Sequence, residues 1–354
     1  MSFKRLEADD FVVSADAVSA PMWTTGNATL SEFYTSSVQE AGASGDFYLN
    51  VYQTGSDISG SAVQFGVAYG NKYGSGSQVY NLAVDGKTPS STIYGQYQNL
   101  VIGDENTDFI FGNVTQSQFH AVSFERARFK ESLFPGSLTL TLSGSAGDIS
   151  LTDDNQYQIA DTFNEAGRVY QLISGSAGTK TTNNGTTSDG YSAKSGSYGW
   201  FLPDIGTIVL NSTALAQPQI SGGIAFGYSG STEGTGDAGT GSAIPSVSPM
   251  SSMYMAISGS GASSFTINSQ ETITADYIFV RPRSSEFNYS QNPSFISGST
   301  GEVLYSSFIN SPTTYITTVG LYNDNNELLA VAKLSRPLVK DFTKEALVRV
   351  KLDF

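Results

Sequence analysis

The chain has 354 residues, of which only 14% are charged, and its formal net charge at pH 7 is −14. This acidic balance argues against nucleic acid and anionic membranes as partners, because both require a broad basic face. Cysteine is absent, which excludes disulfides and thiolate metal sites. No apolar run is long enough to cross a bilayer, so membrane insertion is not expected.

The composition favours strands and turns over helices. Glycine occurs 37 times, Ser and Thr are abundant, and 19 Tyr and 21 Phe accompany a modest aliphatic content. We therefore expect an all-β, mainly antiparallel fold with sandwich-like domains, long Gly/Ser/Thr-rich loops and few short helices. The core should be built largely from aromatic side chains.

Residues 1–136 are predicted to form an N-terminal β domain with an extended N-terminal segment. Its first part, Leu6–Val18, fits either a short helix or an extended arm. Turn-forming residues separate the predicted strands, as in a sandwich, and the strands are DFYLNVYQ, AVQFGVAYG, QVYNLAV, STIYGQYQNLVIG and DFIFGNV. Pro135-Gly136 then predicts a turn at the end of this domain.

Residues 137–283 are predicted to form a second β domain, either inserted into an outer domain or following it. The predicted strands are SLTLTLSG, DISLTDD, RVYQLISG, GWFLPDIGTIVLN, GGIAFGYSG, MYMAISG and ADYIFVRPR. The loops TKTTNNGTTSDG and STEGTGDAGTGSAIPSVSP are polar and glycine-rich, so we expect them at the surface and mobile. Residues 284–354 form the third predicted segment, which would pack with residues 1–136 if the middle domain is inserted.

Catalytic chemistry finds little support in the sequence. His120 is the only histidine and lies in a strand-like context, which favours a structural role. The carboxylates that could form a glycosidase pair all lie in or beside turns; they are Asp104, Glu105, Asp108, Asp153, Asp154 and Asp161. GDENTDF resembles the start of a calcium loop, but Phe109 and Thr115 occupy the positions that need Gly and Glu. We predict no enzyme activity and no catalytic, cofactor-binding or metal-binding residue.

FERARFKE has a period of two. As a strand it would place Phe124, Arg126, Arg128 and Lys130 on one face. Three cations in line need carboxylates opposite them. These come either from a neighbouring strand of the same chain or from another subunit.

The segment from Thr313 to Pro337 predicts a hairpin whose turn is NDNNE. Val319 and Leu321 alternate on one arm, and Leu328, Ala330, Ala332 and Leu334 alternate on the other. In VRVKLDF, apolar and charged residues also alternate, which is typical of a half-buried strand. We expect these to form a three-strand terminal unit, with the last strand paired either in its own sheet or with a neighbour.

The same C-terminal segment is basic within an acidic protein. From Lys333 onward, six Lys and Arg stand against three Asp and Glu, a net charge of +3. Together with the cations of FERARFKE, these residues are the candidate subunit interface: Arg126, Arg128, Lys130, Lys333, Arg336, Lys340, Lys344, Arg349 and Lys351.

Three parts of the sequence resemble structural proteins of contractile-tailed bacteriophages, especially marine cyanophages. They are ERARFKESLFPGSLTLTL, YGWFLPDIGTIVLN, and FNYSQNPSF with YITTVGLYNDNNELLAVAKLSRP, and the hairpin is similar to a pattern in baseplate and tail-fibre attachment proteins. The matching residues are Arg126, Arg128, Lys130, Pro135, Gly136, Phe287, Asn288, Tyr289, Asn292, Pro293, Gly320, Leu321, Tyr322, Leu329, Ala330, Val331 and Lys333.

This resemblance implies a virion protein of the tail baseplate, assembled in the host cytoplasm in several copies and bound to other tail proteins. A location in the neck or on the head surface of the phage particle is another form of this hypothesis. The alternative is a tail protein that binds or degrades host-surface glycans. Glycan binding typically uses exposed Trp or Tyr side chains, and Trp23 and Trp200 are the only tryptophans in the sequence. A secreted adhesin is a third hypothesis, which the absence of a secretory signal in MSFKRLEADDF disfavours.

Overall fold

The computed structural model describes residues 3–35, 48–54, 61–76, 87–226, 249–259 and 264–353. The chain divides into a larger compact unit, Val18–Glu271, and a smaller unit formed by Met1–Ala17 with Thr272–Phe354. The three domains predicted from the sequence stay a prediction. The predicted strand QVYNLAV and, except for Pro249, the loop STEGTGDAGTGSAIPSVSP lie outside the described residues.

Most of the described regular structure is β-strand. In chain order the strands are β1 (Phe11–Pro21), β2 (Thr29–Leu30), β3 (Tyr34–Thr35), β4 (Tyr48–Tyr52), β5 (Val63–Asn71), β6 (Phe109–Phe111), β7 (Val114–Gln116), β8 (Gln118–Phe124), β9 (Ser132–Leu133), β10 (Thr139–Gly144), β11 (Gly147–Asp153), β12 (Thr162–Asn164), β13 (Gly167–Ser176), β14 (Thr179–Lys180), β15 (Gly199–Leu202), β16 (Thr207–Leu210), β17 (Phe265–Thr266), β18 (Asn268–Val280), β19 (Thr314–Tyr322), β20 (Leu328–Lys340) and β21 (Val348–Asp353).

Helices are few and short. The α-helices are α1 (Pro89–Tyr97), α2 (Ser212–Ala216), α3 (Pro249–Ser258) and α4 (Ser306–Asn310); a π-helix (Gln98–Ile102) follows α1, and 3-10 helices span Ala8–Asp10, Arg126–Arg128, Asn155–Tyr157 and Gln219–Ser221. No helix among the described residues has the length and apolar character needed to cross a membrane. The prediction of a mainly antiparallel all-β fold with few short helices is confirmed.

The larger unit is organised around one sheet of thirteen strands. Eleven follow the order β2-β17-β10-β11-β13-β15-β16-β8-β5-β4-β3, and β12 and β14 pair with β13. Its central strands are buried on both faces because alternate side chains enter two different cores. In β8, Val122 and Phe124 enter the first core, while Phe119 and Ala121 enter the second.

The first core confirms the expectation of aromatic packing. The rings of Trp23, Phe65, Phe124 and Phe265 lie with centroids 5.4–6.2 Å apart, mostly edge to face or tilted. Such ring arrangements add to the free energy gained by burying apolar area. This cluster joins strands from distant parts of the sequence and fixes the sheet around it.

The second core is covered by a helix where we predicted a strand. STIYGQYQNLVIG forms α1 and the π-helix, so its assignment as a strand is wrong. Thr88 caps α1 through a reciprocal capping box with Ser91, and Pro89 occupies the first helical position. Tyr94 and Val101 are buried in the second core. Capping therefore outweighed the strand propensity of the Ile and Tyr residues.

Two further strand predictions in this unit are wrong. MYMAISG lies in α3, where Met253, Ala256 and Ile257 are buried in the first core at helical spacing. In GGIAFGYSG, the described residues 222–226 form no strand and follow a 3-10 helix. Pro135-Gly136, in contrast, forms the predicted turn, with Gly136 at a φ of +85°.

The smaller unit contains two sheets whose apolar faces share one core. β18 pairs with β21 from Ala275 to Val280, and β19 pairs with β20 as a long hairpin. The last strand therefore pairs within its own chain, but with β18 rather than with the hairpin. The expected three-strand terminal unit is wrong in this respect. In the N-terminal segment, a single 3-10 turn precedes β1, so the extended interpretation of residues 6–18 is correct.

Candidate interaction surface

His120 has a structural environment. Its side chain is fully buried, Nδ1 lies 2.7 Å from Ser212 Oγ, and Nε2 lies 3.2 Å from the Pro249 carbonyl oxygen. Because a carbonyl can only accept, Nε2 carries the proton and Nδ1 accepts from the Ser212 hydroxyl. Burial lowers the pKa of His120 to about 3, against a smaller opposing effect of the Pro249 carbonyl. The neutral ring joins β8 to α2 and α3.

The buried carboxylates likewise hold the fold together. Asp153 is fully buried and accepts the backbone N–H of Gly136 at 2.8 and 3.0 Å, which fixes the turn after Pro135. Burial raises the pKa of Asp153 to about 6. Asp154 accepts from Tyr191 Oη at 2.7 Å and from the backbone N–H of Gln171 at 2.9 Å. These contacts occupy both carboxylates.

The loop GDENTDF forms a turn. Asp104 accepts from the backbone N–H of Asn106 and from the Thr107 hydroxyl, as in an Asx-turn. Asp108 forms an ion pair with Lys72, with both carboxylate oxygens within 2.9 Å of Nζ. Across the described parts of the chain, no group of three or more His, Asp or Glu side chains could hold a metal ion.

The FERARFKE segment is not a strand. After β8 ends at Phe124, Arg126–Arg128 form a 3-10 helix, so the three cations do not share a strand face. Arg126 donates to the Phe129 carbonyl oxygen at 2.6 Å and lies over the Phe129 ring. Lys130 forms an exposed ion pair with Glu271 of β18. At Lys130 the partner carboxylate thus comes from the same chain.

The six C-terminal cations lie in three environments: one is buried, one forms an ion pair, and four lie at the surface. Lys340 is fully buried and donates to the carbonyl oxygens of Ser284 and Asp341 and to Asn288 Oδ1, at 2.8–3.0 Å. Its prediction as a surface interface residue is therefore wrong. Lys344 forms an ion pair with Asp341 at 3.1 Å.

The other four cations of this segment lie at the surface. Arg349 and Lys351 lie over the ring of Tyr277 on the outward face of the β18–β21 pair. Lys333 and Arg336 are exposed on β20 and form no ion pair with another described residue. These two remain available for a partner.

One face of the hairpin is buried in the smaller unit. Val319 and Leu321 of β19 and Ala332, Leu334 and Leu338 of β20 pack against the core of this unit. The register slips between the Thr318–Lys333 and Ile316–Leu338 pairs, so β20 bulges there. The bulge contains Pro337, which has no N–H to donate to the ladder.

The opposite side of the hairpin is apolar and exposed. We call the following residues the hairpin patch: Phe3, Tyr322, Leu328, Leu329, Val331 and Lys333. Exposure of the four hairpin apolar residues ranges from 38% at Tyr322 to 68% at Leu329. The ring of Phe3 meets that of Tyr322 edge to face at 5.2 Å. Several large apolar side chains exposed together on one strand pair are typical of a protein interaction site.

Gly320 explains part of the pattern VGLY. A Cβ atom at this position would lie 2.9 Å from Tyr322 Cε2 and 3.4 Å from Leu328 Cδ1. The absence of a side chain thus lets the tyrosine ring lie flat along the hairpin, beside Leu328. The pair Leu328-Leu329 is the sequence signal that could have indicated the patch, because two adjacent apolar residues break the alternation of the strand. The alternation places Leu328 on the same face as Ala330, but Leu328 is 53% exposed.

Neither tryptophan ring is largely exposed to solvent in this fold, as stacking on a sugar would require. Trp23 is 2% exposed and donates its indole N–H to the Ala28 carbonyl oxygen at 2.9 Å. Trp200 is half-buried against the rings of Phe109 and Phe111. No protein-family model matches the sequence, and neither a curated protein nor a solved structure shows significant similarity to it.

Proposed function

We propose that this chain is a structural subunit of a phage tail baseplate, present in several copies, that holds neighbouring subunits through the hairpin patch. The observation that carries the proposal is the hairpin itself. One face is anchored in the core of the smaller unit, whereas the other exposes Leu329 and Val331 by more than half. An apolar surface of this kind costs solubility unless a partner covers it.

The particle class is supported by the resemblance of the hairpin pattern to baseplate and tail-fibre attachment proteins. The acidic net charge of −14 fits a subunit that contacts proteins rather than nucleic acid. The side chains of His120, Asp153 and Asp154 are taken up by hydrogen bonds within the fold. On this proposal the chain belongs to the virion tail after assembly in the host cytoplasm.

The test is incorporation into particles. We expect mass spectrometry of purified virions to detect the wild-type chain. We expect the variant Leu329→Glu/Val331→Glu to fold but to be incorporated at least about tenfold less, because charge is placed where apolar contact is needed. A matched control is Leu304→Glu, which alters an exposed leucine of the same unit outside the patch. Absence of the wild-type chain from virions, or equal incorporation of the patch variant, would refute the proposal.

A second candidate function is binding of host-surface glycans. An aromatic cluster in the smaller unit favours it: Phe295 and Phe308 stack at 4.6 Å and support Tyr289 and Tyr305, which are 51% and 58% exposed. Exposed tyrosine rings offer both an apolar face and a hydroxyl. Reproducible binding on a glycan array that Tyr289→Ala/Tyr305→Ala abolishes would favour this function.

A further inference from the structure

Two neighbouring segments of the larger unit carry exposed apolar side chains together with exposed carboxylates. We call these residues the acidic ledge: Leu100, Asp104, Glu105, Ile159, Asp161, Phe163 and Glu165. Leu100 is 50% exposed, Phe163 is 67% exposed, and Ile159 is fully exposed. Three large apolar side chains in water on a stable scaffold indicate a contact surface.

The ledge is continuous because two chain segments meet there. A Cβ atom at Gly103 would lie 2.5 Å from Glu165 Cγ, so the loop after the π-helix touches the turn between β12 and β13. Below them, Val101 and Ala166 share the second core of the larger unit. Asp161 is held by Tyr170, whose hydroxyl donates to it at 3.0 Å. The turn that carries Glu165 thus lies against the loop that carries Asp104 and Glu105.

Charge distinguishes the ledge from the hairpin patch. The four ledge carboxylates form no ion pair with another described residue. No Lys or Arg occurs in residues 88–125 or 131–167, and the larger unit has 8 Lys and Arg against 20 Asp and Glu, a net −12. The hairpin patch instead contains the exposed cation Lys333, and Arg336 is exposed further along the same strand.

From this complementarity we infer that the partner of the hairpin patch is the acidic ledge of a second copy of this chain. Leu329 and Val331 contact Ile159 and Phe163 of the neighbour, while Lys333 and Arg336 face the ledge carboxylates. The inference rests on the proposed assembly function and names the partner of the same site. Because the two patches differ, the contact is head to tail, and repetition builds a ring or filament of copies.

The contact is small compared with a standard interface of roughly 800 Å² per partner. A single contact should therefore be weak, with Kd on the order of micromolar, and several contacts in a closed ring would strengthen one another. Since the hairpin exposes cations and the ledge exposes carboxylates, association should weaken as the salt concentration rises.

The test is sedimentation velocity of the full chain across a range of protein and salt concentrations. We expect concentration-dependent self-association of the wild type. Lys333→Glu/Arg336→Glu on the hairpin, or Glu105→Lys/Glu165→Lys on the ledge, should each weaken it about tenfold or more through like-charge contact. Lys194→Glu and Glu32→Lys change exposed residues outside both patches and should leave association unchanged.

Mixing the two double variants gives the sharpest result. In the mixture, the unaltered hairpin of one variant can bind the unaltered ledge of the other, and the two altered patches again carry opposite charges. A head-to-tail contact therefore predicts mixed dimers or larger mixed assemblies in the mixture and almost no association of either variant alone. Circular dichroism of both variants should match the wild type, because every altered residue is exposed. A monomeric wild type, unaffected variants, or a mixture without mixed assemblies would overturn the inference. The incorporation experiment on Leu329 and Val331 would still decide the proposed function, since a different partner could cover the same patch.

Discussion

The two units of this chain differ in how they use apolar side chains. The larger unit buries aromatic rings in two cores, on opposite faces of its thirteen-stranded sheet. The smaller unit has less than a third of the residues, and its main core cluster has three buried members, Ile278, Val348 and Val350. Yet 16 of the 27 exposed large hydrophobic residues in the described chain belong to it. The larger unit therefore encloses most of its apolar side chains, whereas the smaller one leaves many of them at its surface.

The largest effect should come from the scaffold core. Phe65 is fully buried, and its ring lies within 6.5 Å of the rings of Trp23, Phe33, Phe124 and Phe265. We expect Phe65→Ala to lower the free energy of unfolding by about 3–5 kcal/mol, because the cavity has aromatic walls that cannot collapse. Chemical denaturation with far-UV circular dichroism measures the loss.

The matched control is Phe163→Ala, the same deletion at a ring that is 67% exposed. We expect a change within about 0.5 kcal/mol, as for most surface substitutions. If the two variants lost similar stability, the scaffold would not depend on its aromatic core, and the contrast between buried and exposed aromatic side chains would fail.

The next effect concerns the small core of the smaller unit. Val348 is 7% exposed and pairs with Val280 across the β18–β21 ladder. We expect Val348→Asp to cost about 2–4 kcal/mol, since the carboxylate has no partner in an apolar cluster. Faster hydrogen exchange should follow in β18 and β21 of the smaller unit, with little change at β8 of the larger one.

Leu352→Asp should act in the same direction, because Leu352 packs against the same cluster. Lys351→Ala is the contrasting variant on the outward face and should have the smallest effect of the three. Equal tolerance of all three substitutions would contradict the half-buried assignment of β21.

The sequence predicted β21 well because its alternation is local. Val348, Val350 and Leu352 point to the core and Arg349 and Lys351 point outward, as a period of two requires. Its partner strand could not be predicted, since β18 lies about seventy residues earlier and several apolar strands could fit equally well. Strand pairing depends on tertiary packing that local pattern does not contain.

The wrong predictions have equally specific causes. The prediction of a strand in place of α1 rests on its Ile and Tyr residues, which favour strands. The helix starts there because Thr88 and Ser91 form a capping box and Pro89 occupies the first helical position. Lys340 is predicted as an interface residue from the basic charge of its segment alone, and that charge pattern does not show that Ser284 and Asn288 supply acceptors for it. The sequence predicted the hairpin strands and the turn, but not the exposed patch. Leu329 is an extra residue in β20 between the Leu321–Ala330 and Tyr322–Leu328 pairs, and this bulge turns Leu328 to the exposed side.

A smaller effect should appear in the larger unit on acidification. The pKa of His120 is lowered to about 3 in the fold, so the neutral ring contributes stability above the unfolded pKa of 6.5, and this is lost as pH falls toward 3. By pH 5 the loss should be about 2 kcal/mol. Asp153 acts oppositely, because its pKa is raised to about 6 and its contribution is lost as pH rises from about 4 through 6.

The two opposing contributions can be separated by substitution. Of these two groups, His120→Gln leaves only Asp153, so stability should rise rather than fall between pH 6.5 and 4, whereas Asp153→Asn should make the wild-type loss in this range steeper. Hydrogen exchange at β8 and β16 amides across this pH range provides the measurement. Identical slopes in both variants and the wild type would show that neither group titrates in this range through folding.

The smallest effect compares a buried and an exposed cation on the same strand. Lys340 donates to three oxygens from residues 284, 288 and 341, so it ties the end of β20 to the loop that follows β18. We expect Lys340→Met to lower the free energy of unfolding by about 1–2 kcal/mol, because the chain keeps its volume but three acceptors lose their donor. Hydrogen exchange in the smaller unit should report the loss.

Lys333→Met is the control, since Lys333 is exposed and forms no ion pair with a described residue. It should change stability by less than about 0.5 kcal/mol and weaken only the association of the hairpin patch. Lys340→Met should do the reverse, because its side chain is buried away from any partner. If both variants altered stability and association equally, the division of this strand into an anchored end and a binding face would be refuted.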